Sequence, residues 1–404
     1  MASTKKITLA VGETVDVEIE KVAHGGHFIA RFEGAVIFVR HAIPGEKCRI
    51  EITSVGSSFN RADVIEVLEA SSDRTTPPCQ YSHRAGCGGC DFQHVNVERQ
   101  LKLKADVITE QFSRIAKMDI QVVVESVGES LGWRSRITST TDRNGQLGFI
   151  GARSHKIIPV ENCLVAMQEV GFKELGTRKW KGDMRVEIAA SNTGERSISL
   201  VATRGETKSR LSEGPAVLHE EVLGKTLQVS NDSFWQGHKN APTILSTVVQ
   251  EFADVAPGDH VLDLYGGVGL FTAALVDAVQ ESGVITLIEG SKSATGDAIK
   301  NFLNNSNVKI ITGDVAKHLP RISAANVVVL DPPRDGAGKL VINEIARLSP
   351  GKVVYVACDP AALARDTRYF LDLGYSLVKL RAFDLFPMTH HIECVALFEP
   401  AKVS

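Results

Sequence analysis

Apolar and polar positions alternate along most of the first 70 residues, with the two-residue period of β-strands. Turn-forming pairs interrupt the alternation, among them Gly25-Gly26, Glu33-Gly34 and Pro44-Gly45. The predicted strands are residues 14–22, 28–32, 35–39, 47–55 and 62–67. Short strands with frequent turns and no helix between them favour a small β-barrel.

The pattern is mixed between residues 71 and 240. Apolar side chains at helical spacing predict an amphipathic helix over residues 98–117. Asn144-Gly145 lies between two alternating segments and predicts a β-hairpin. The predicted hairpin strands are residues 137–141 with 147–150, and 184–190 with 197–203. This part of the chain is predicted to be a mixed α+β domain.

Helical and continuously apolar segments alternate from about residue 241 onward, which is typical of a doubly wound sheet. A helix is predicted over residues 242–252. The predicted strands are residues 261–264, 284–288, 308–311, 327–330, 353–357, 375–383 and 392–398. We therefore predict an α/β protein of three domains, over residues 1–70, 71–240 and 241–404.

Composition narrows the function classes. The 404 residues are 43% hydrophobic and 23% charged, which is ordinary for a soluble globular protein. The sequence has no apolar run long enough for a membrane span or for the apolar core of an export signal. We therefore expect a cytoplasmic protein, and we expect it to be a monomer. A net charge of −3 excludes general affinity for nucleic acid. Residues 131–185 carry a local charge of +5, which predicts a phosphate-facing surface, although a solvated face without a partner explains the same charge.

Four of the seven cysteines form a candidate metal site. Cys87 and Cys90 are separated by two glycines, which permit the backbone angles needed to turn both thiolates onto one centre. Cys79 is a plausible third ligand and Cys163 the best fourth, because the other candidates lie in predicted strands. Four thiolates suit either zinc or a 4Fe–4S cluster, and the spacing leaves both open.

Three strand ends in the last domain carry polar residues where α/β sheets place their ligands. The first opens into the glycine loop Asp263-Leu264-Tyr265-Gly266-Gly267-Val268-Gly269, the second ends at Glu289 and the third is followed by Asp314. Glu289 can accept hydrogen bonds from ribose hydroxyls, and Asp314 from an adenine amino group. Because no lysine follows the glycines to hold phosphate, S-adenosylmethionine fits better than a dinucleotide, which remains the alternative.

Two further strand ends carry the reactive groups. One ends in Asp331-Pro332-Pro333-Arg334, and the other ends in Cys358. A thiolate that adds to carbon 6 of a pyrimidine makes carbon 5 nucleophilic enough to accept a methyl group. A base must then remove the carbon 5 proton, and Glu393 in the late segment His390-His391-Ile392-Glu393 is the candidate.

These motifs, in this order, resemble the RNA 5-methyluridine methyltransferase family. The residues that carry the resemblance are the barrel, which resembles a TRAM domain, the Cys-Gly-Gly-Cys segment, Ser233-Phe234-Trp235-Gln236, Asp331-Pro332-Pro333-Arg334, Cys358-Asp359-Pro360 with Leu363-Ala364-Arg365-Asp366, and His391-Ile392-Glu393. The similar branch of the family has a TRAM domain and an iron–sulfur cluster. The expected partner is therefore ribosomal or transfer RNA, and the expected fold of residues 241–404 is a Rossmann-like methyltransferase domain.

The resemblance also implies roles for individual residues. It implies Cys358 as nucleophile and Glu393 as base. The implied S-adenosylmethionine contacts are Gln236, Tyr265, Glu289, Asp314 and Asp331. The implied ligands of a structural 4Fe–4S cluster are Cys79, Cys87, Cys90 and Cys163.

The sequence departs from the family pattern at three places. The residue after the nucleophile is commonly Asn and here is Asp359, whose charge would oppose thiolate formation if it lay close. The gap between Cys79 and Cys87 is longer than usual, and Leu270 replaces a polar residue after the glycine loop. Two alternatives remain: an RNA cytidine carbon 5 methyltransferase, disfavoured because the substrate loop has no Pro-Cys, and a catalytically silent RNA-binding cluster protein.

Overall fold

The computed structural model describes residues 9–152, 154–203 and 209–402. The first eight residues, which bear on the expected cytoplasmic location, and Arg153 of the basic segment lie outside these ranges. No helix within the described ranges is long and apolar enough to cross a membrane.

The N-terminal strands close into a five-stranded barrel in the order β1-β2-β3-β5-β4, as predicted. The strands are β1 (Thr14–Ala23), β2 (His27–Phe32), β3 (Ala35–Arg40), β4 (Lys47–Val55) and β5 (Asn60–Glu69). Alternate residues point inward, so that Phe28, Ile37 and Ile50 are fully buried. Positive φ angles at Gly25 and Gly26 make the tight turn between β1 and β2.

The middle of the chain forms a six-stranded antiparallel sheet in the order β12-β11-β10-β7-β8-β9. The elements of this region are α1 (Val97–Gln111), β6 (Val124–Ser126), β7 (Arg136–Thr141), β8 (Leu147–Ile150), β9 (Ile157–Pro159), α2 (Phe172–Thr177), β10 (Met184–Ala190), β11 (Arg196–Ala202), β12 (Arg210–Glu213), β13 (Val217–Val222) and β14 (Lys225–Ser230). Both predicted hairpins are present, and Gly145 has the positive φ that its turn requires. Helix α1 ends earlier than predicted and continues as a π-helical turn, Phe112–Ala116.

The C-terminal region is a doubly wound sheet with helices on both faces, which confirms the predicted fold class. Its elements are α3 (Ala241–Ala253), β15 (His260–Leu264), α4 (Leu270–Val279), β16 (Val284–Glu289), α5 (Lys292–Asn301), β17 (Val308–Thr312), α6 (Val315–His318), β18 (Val327–Leu330), α7 (Gly338–Leu348), β19 (Lys352–Ala357), α8 (Pro360–Asp372), β20 (Tyr375–Asp384) and β21 (Glu393–Pro400). The strand order is β17-β16-β15-β18-β19-β21-β20-β6. Successive residues of β19 pack into opposite cores, so both faces of the sheet are covered.

The outer strand of this sheet comes from far away in the sequence. Strand β6 pairs parallel to β20, with Val124 opposite Ala382. Helix α1, just before β6, packs on α8 on the same face. The C-terminal sheet is therefore completed by residues that precede the antiparallel middle sheet.

Register brings four strand ends to one edge of the sheet. Leu264 lies opposite Leu330, and Leu330 lies opposite Tyr355. Ala357, the last residue of β19, lies opposite Cys394 in antiparallel β21. The residues that follow β15, β18 and β19 therefore meet the residue that begins β21.

Candidate active site

Cys358 and Glu393 are neighbours at this edge. Cys358 directly follows β19, and Glu393 directly precedes the residue that pairs with the end of β19. The Cys358 side chain is half-buried, whereas Glu393 is only 3% exposed. The thiol can thus be reached from outside while the carboxyl group is withdrawn behind it.

Helix α8 begins two residues after the thiol because the local sequence favours a helix start there. The Asp359 side chain accepts a hydrogen bond from the N–H of Ala362 at 2.8 Å, and Pro360 occupies the first helical turn. The last strand residue and the helix cap therefore fix the backbone on both sides of Cys358.

Asp331 enters the site from β18. Its N–H donates to the Leu264 carbonyl at 3.3 Å, and its Oδ2 accepts a hydrogen bond from Gln236 Nε2 at 3.2 Å. Gln236 is itself buried, and Ser135 Oγ donates to its carbonyl oxygen. The structure therefore brings Gln236 and Asp331 together beside the Cys358–Glu393 pair.

Burial and neighbouring charges raise the pKa values of the three acidic groups at this point. Burial, then the charges of Glu393 and Asp331, raise the pKa of Cys358 to about 12, while Arg334 opposes the shift. Burial and then Asp331 raise the pKa of Glu393 well above its ordinary range. Burial and the neighbouring Asp263 carboxylate raise the pKa of Asp331. The site therefore holds protons near neutral pH in the free protein.

The glycine loop and the end of β16 lie at the same edge of the sheet. Tyr265 has a φ of +61° and Gly267 one of +54°, and a Cβ on Gly267 would meet no atom within 4 Å. Glu289 accepts hydrogen bonds from the N–H groups of Gly267 at 3.1 Å and Ser291 at 2.6 Å. The Glu289 carboxylate thus lies against the glycine loop, and the space beside Gly267 is open.

Asp314 lies further out. It is exposed, and its side chain caps the short helix α6 by accepting from the Lys317 N–H at 3.1 Å. Its charge still contributes to the raised pKa of Tyr265, after burial. Asp314 therefore lies close enough to Tyr265 for its charge to act on the phenol.

Asp263 is a site residue that the sequence analysis did not single out. It is fully buried in β15, and Thr272 donates to its Oδ2 from both the backbone at 2.9 Å and the hydroxyl at 2.7 Å. Its Oδ1 has no partner, and burial raises its pKa to about 6. A carboxyl group inside an otherwise apolar strand was the available signal, because such a group needs a partner or a function.

The loop after Asp331 is held by two residues in the middle of α8, Arg365 and Asp366. Asp366 Oδ2 accepts hydrogen bonds from the N–H groups of Ala337 at 2.8 Å and Gly338 at 3.2 Å, and from the Tyr355 hydroxyl at 2.8 Å. Arg365 pairs with the other Asp366 oxygen and donates to the Asp335 carbonyl at 2.6 Å. Both residues therefore fix the substrate loop.

The four predicted metal ligands lie around one cavity. Cys79, Cys87, Cys90 and Cys163 all line a space of about 380 Å³ between the cysteine segment and the middle sheet. Burial raises the pKa of Cys87 to about 11 and that of Cys90 to about 12. Among the described residues, no three His, Cys, Asp or Glu side chains are placed to hold one metal ion, so ligation by the four cysteines remains a prediction.

Backbone N–H groups approach two of these sulfur atoms, those of Cys87 and Cys163. The Gly89 N–H lies 3.4 Å from Cys87 Sγ, and the backbone N–H groups of Val165 and Ala166 lower the pKa of Cys163 against the larger effect of burial. The Gln93 side chain accepts from the Cys79 N–H at 3.1 Å. Donors aimed at sulfur favour thiolates, the form that metal centres require.

The basic segment lies on the same part of the molecule. The exposed members of the segment are Arg143, Lys156, Lys173, Arg178, Lys179, Lys181 and Arg185. Arg134 and Arg185 line the cysteine cavity. Some of the charge is internally compensated, because Arg178 pairs with Glu213 and Arg185 with Glu187.

Two family models match the chain. Residues 9–65 match the TRAM domain, and residues 177–401, more than half of the chain, match the family described as tRNA (Uracil-5-)-methyltransferase. The TRAM match covers the closed barrel. The second match covers every strand end that meets at the site.

Relatives and solved structures agree. An uncharacterised RNA methyltransferase of Streptomyces avermitilis is 41% identical over 97% of this chain and 99% of the relative. An uncharacterised RNA methyltransferase of Corynebacterium glutamicum is 33% identical over 98% of this chain and 99% of the relative. The structure of Pyrococcus abyssi tRNA (uracil-54, C5)-methyltransferase in complex with S-adenosyl-L-homocysteine shares the fold, with a TM-score of 0.71 at 22% identity over 95% of this chain and 99% of that one. The chain therefore belongs to the tRNA (uracil-5-)-methyltransferase family, whose members are S-adenosylmethionine-dependent RNA methyltransferases.

Proposed function

We propose that the chain methylates carbon 5 of a uridine in RNA through a covalent adduct between Cys358 and the uracil ring. One observation carries the proposal. A reachable thiol and a buried carboxyl group, Cys358 and Glu393, lie side by side, with Asp331 close enough to raise the pKa of both.

The thiol prepares the ring for methylation. Carbon 5 of uracil is too weak a nucleophile to take a methyl group directly. When the Cys358 thiol releases its proton to water and the sulfur bonds to carbon 6, the electrons of the double bond move toward carbon 5 and the carbonyl oxygen, so that carbon 5 becomes nucleophilic. Bound S-adenosylmethionine supplies the electrophilic methyl group that carbon 5 then accepts.

The carboxyl group completes the reaction. Glu393, once ionised, removes the proton from carbon 5. The electrons of that C–H bond re-form the double bond while the bond between carbon 6 and sulfur breaks, and the thiolate of Cys358 leaves. A raised pKa suits Glu393 to this step, because a carboxylate of higher pKa is a stronger base.

The residues proposed to hold S-adenosylmethionine are Gln236, Tyr265, Glu289, Asp314 and Asp331. Three of these five residues carry carboxylates, and Oδ1 of the nearby buried Asp263 has no hydrogen-bond partner. Such a set of acceptors fits the ammonium group and ribose hydroxyls of this molecule, and would repel the phosphates of a dinucleotide.

RNA containing 5-fluorouridine tests the covalent step, because fluorine on carbon 5 cannot be removed as a proton. With S-adenosylmethionine present, the wild-type protein should form an adduct that survives denaturing electrophoresis, and Cys358→Ala should not. Cys394→Ala, which removes a buried cysteine on the neighbouring strand, is the matched control. Lack of an adduct with the wild-type protein, or an adduct with Cys358→Ala, would refute the mechanism.

Donor binding separates an enzyme from a catalytically silent RNA-binding protein. Calorimetry should show S-adenosylmethionine binding that Glu289→Ala weakens. Glu281→Ala, an exposed acid before β16, should leave binding unchanged. A protein that binds RNA but gives no heat with the donor would support the silent alternative.

The modified RNA is proposed to present an unpaired uridine, since the base must leave its stack to reach Cys358. Phe234 is 71% exposed close to Gln236 and offers a face on which a base can stack. Mass-spectrometric mapping of ribosomal and transfer RNA from a deletion strain should show a lost 5-methyluridine. Loss of 5-methylcytidine instead would establish the cytidine alternative.

We further propose that Cys79, Cys87, Cys90 and Cys163 hold a structural 4Fe–4S cluster. Four thiolates around one zinc ion lie only about 3.8 Å apart, given a zinc–sulfur distance of about 2.3 Å. A cluster gives each thiolate its own iron and so suits four cysteines that line one cavity without three of them meeting at one point among the described residues.

Elemental analysis of anaerobically purified protein tests the cluster. Iron and acid-labile sulfide should each approach four per chain, and Cys87→Ser should lower both. Cys48→Ser, in the barrel, should not. Stoichiometric zinc without iron would refute the cluster.

A further inference from the structure

One turn of the barrel reaches both loops that carry the proposed catalytic residues. The turn between β1 and β2 contains His24, Gly25 and Gly26. His24 contacts Asp359, the residue after Cys358. A Cβ on Gly26 would lie 2.8 Å from Nδ1 of His390, three residues before Glu393. The glycine therefore allows the barrel to approach the catalytic loops closely.

The contact between His24 and Asp359 is an ion pair when the imidazole is protonated. His24 Nε2 lies 2.9 Å from Asp359 Oδ2, while Asp359 Oδ1 accepts from the Ala362 N–H. Both carboxylate oxygens are thus engaged, one by the barrel and one by the start of α8. The side chains are 40% and 24% exposed, so solvent weakens the interaction without removing it.

The charge of Asp359 acts on the nucleophile. Burial is the largest cause of the raised pKa of Cys358, and the Asp359 carboxylate adds to it. The hydrogen bond to Asp359 in turn raises the pKa of His24 above its ordinary value of 6.5. Among the described residues, the charged groups with the largest effects on the pKa of Cys358 are Glu393, Asp331, Arg334 and Asp359, and Asp359 acts on that of His24.

We propose that His24 is a positioning residue for methyl transfer, through which the docked barrel holds Asp359 and offsets its charge beside Cys358. This inference rests on the proposed role of Cys358 as nucleophile. It explains how the site accommodates an acid directly after the thiol. It also gives the barrel a task at the reaction centre that its net charge of −2 over residues 1–70 does not suggest.

The expected pH dependence follows from the two protonation states of the imidazole. Below the raised pKa of His24 the pair is neutral overall, and Cys358 is spared the uncompensated charge of Asp359. Above that pKa, neutral His24 still donates a hydrogen bond but no longer offsets the charge. Glutamine can donate the same kind of bond at every pH, so His24→Gln imitates the neutral form.

The test measures the reaction of Cys358 with a small thiosulfonate between pH 5.5 and 9, followed by peptide mass spectrometry on the full-length protein. A lower pKa of Cys358 should increase its thiolate fraction about three- to tenfold. A more basic thiolate is also a stronger nucleophile, so the expected difference in reaction rate is smaller, about two- to threefold. The wild-type protein should react that much faster than His24→Gln at pH 6 and equally fast at pH 9.

Two further variants make the outcome decisive. In an Asp359→Asn background, which retains a helix-capping side chain, adding His24→Gln should change nothing. Lys21→Ala breaks another barrel contact, the 2.7 Å pair with Glu110, and should leave the profile of Cys358 unchanged. Equal effects of His24→Gln in both backgrounds, no effect in either, or the same effect from Lys21→Ala would overturn the proposal.

Methyl transfer to RNA is measured on the same variants. The ratio of kcat/KM between wild type and His24→Gln should follow the same pH course as the thiol reaction. Absence of uridine methylation by the wild-type protein would refute the proposed function. The thiosulfonate rates test the pair of His24 and Asp359 separately, because they do not depend on turnover.

Discussion

At the scale of single residues, burial of Glu393 has opposite consequences for stability and for chemistry. Burial and the nearby Asp331 raise its pKa, so the folded protein binds a proton that the unfolded chain releases. Stability contributed by this group is therefore present at low pH and falls as pH rises from the ordinary value of 4.5 through the raised value. The carboxyl group destabilises the fold at the pH where it is proposed to act.

Glu393→Gln should therefore stabilise the protein at pH 8 while abolishing turnover. We expect the melting temperature to rise by about 2–4 °C, the shift that about 1 kcal/mol gives in a domain of 150–250 residues. The gain should disappear below pH 4.5, where both states are protonated. Thermal melts across this pH range measure it, and Glu399→Gln, at the partly exposed end of the same strand, is the control. A lower melting temperature for Glu393→Gln at pH 8 would contradict the prediction.

Sequence patterns could locate some of these residues and not others. Cys358 and Asp331 follow apolar runs, and the ends of parallel strands share one edge of a sheet. Asp263 was missed because its position inside a strand gives no such cue. The contact of His24 depends on how the barrel docks, which no local pattern encodes.

At the scale of elements, the N-terminus of α8 organises two loops at once. Asp359 caps the helix directly after the thiol, and about two turns later Asp366 accepts hydrogen bonds from the backbone N–H groups of the loop after Asp331. The motif around Arg365 therefore has a physical reason. It couples the position of Asp331 to that of Cys358.

Asp366→Ala should release the substrate loop without unfolding the site for the donor. Loss of an acceptor for three donors misplaces the loop, and small displacements of reacting groups cost about tenfold to a hundredfold in rate. We expect kcat/KM for RNA to fall by that factor while S-adenosylmethionine affinity in calorimetry stays within about twofold. Asp372→Ala, which removes an exposed partner of Arg368 on the same helix, should change neither. A donor affinity that falls in parallel with kcat/KM would show that Asp366 acts on the whole domain.

A buried ion pair joins α1 to the C-terminal sheet. Lys104 Nζ lies 2.5 Å from Asp384 Oδ1, and the two side chains are 1% and 3% exposed. Lys104 also donates to the Phe386 carbonyl at 3.1 Å, at the start of the loop that leads to Glu393. The pair therefore fixes the approach of the proposed base.

Lys104→Met should cost about 3–5 kcal/mol of unfolding free energy, because Asp384 is left buried without its cation. Lys104→Met combined with Asp384→Leu should recover most of that loss. Denaturant titration measures both. Equal stability of the single variant and the wild type would show that water reaches Asp384.

Element prediction succeeded where the pattern was long and regular. The barrel strands and the central strands of the last sheet lie within a few residues of their predicted bounds. Strand β6 was not predicted, because three residues carry too little periodicity. The end of α1 was placed too late, because the π-helical turn retains an apolar face.

At the scale of the whole molecule, the sequence divides into three segments more cleanly than the structure does. One continuous core contains barrel residues, α1 and one face of the C-terminal sheet. Strand β6 and α1, which precede the middle sheet in sequence, complete the sheet that carries the site. Composition shifts mark the segments, but long-range pairing is decided by edges and faces that a linear pattern does not display.

A fragment of residues 241–402 should therefore fail to fold alone. Without residues 97–126 it exposes the edge of β20 and the apolar surface under α1, which favours aggregation. Circular dichroism and gel filtration should show an aggregated or unfolded species. Supplying residues 97–126 as a separate peptide should restore a soluble complex, and a monomeric, cooperatively melting fragment without the peptide would contradict this account.

The pairing of β6 with β20 also delays part of the folding during synthesis on the ribosome. The two strands are about 250 residues apart in the chain. At about 5–20 residues per second, the earlier strand and its helix wait about 10–50 s for their partner to be synthesised. During that interval their apolar side chains remain available to chaperones, so the maturation of this enzyme in a living cell should depend on them more than its final stability suggests.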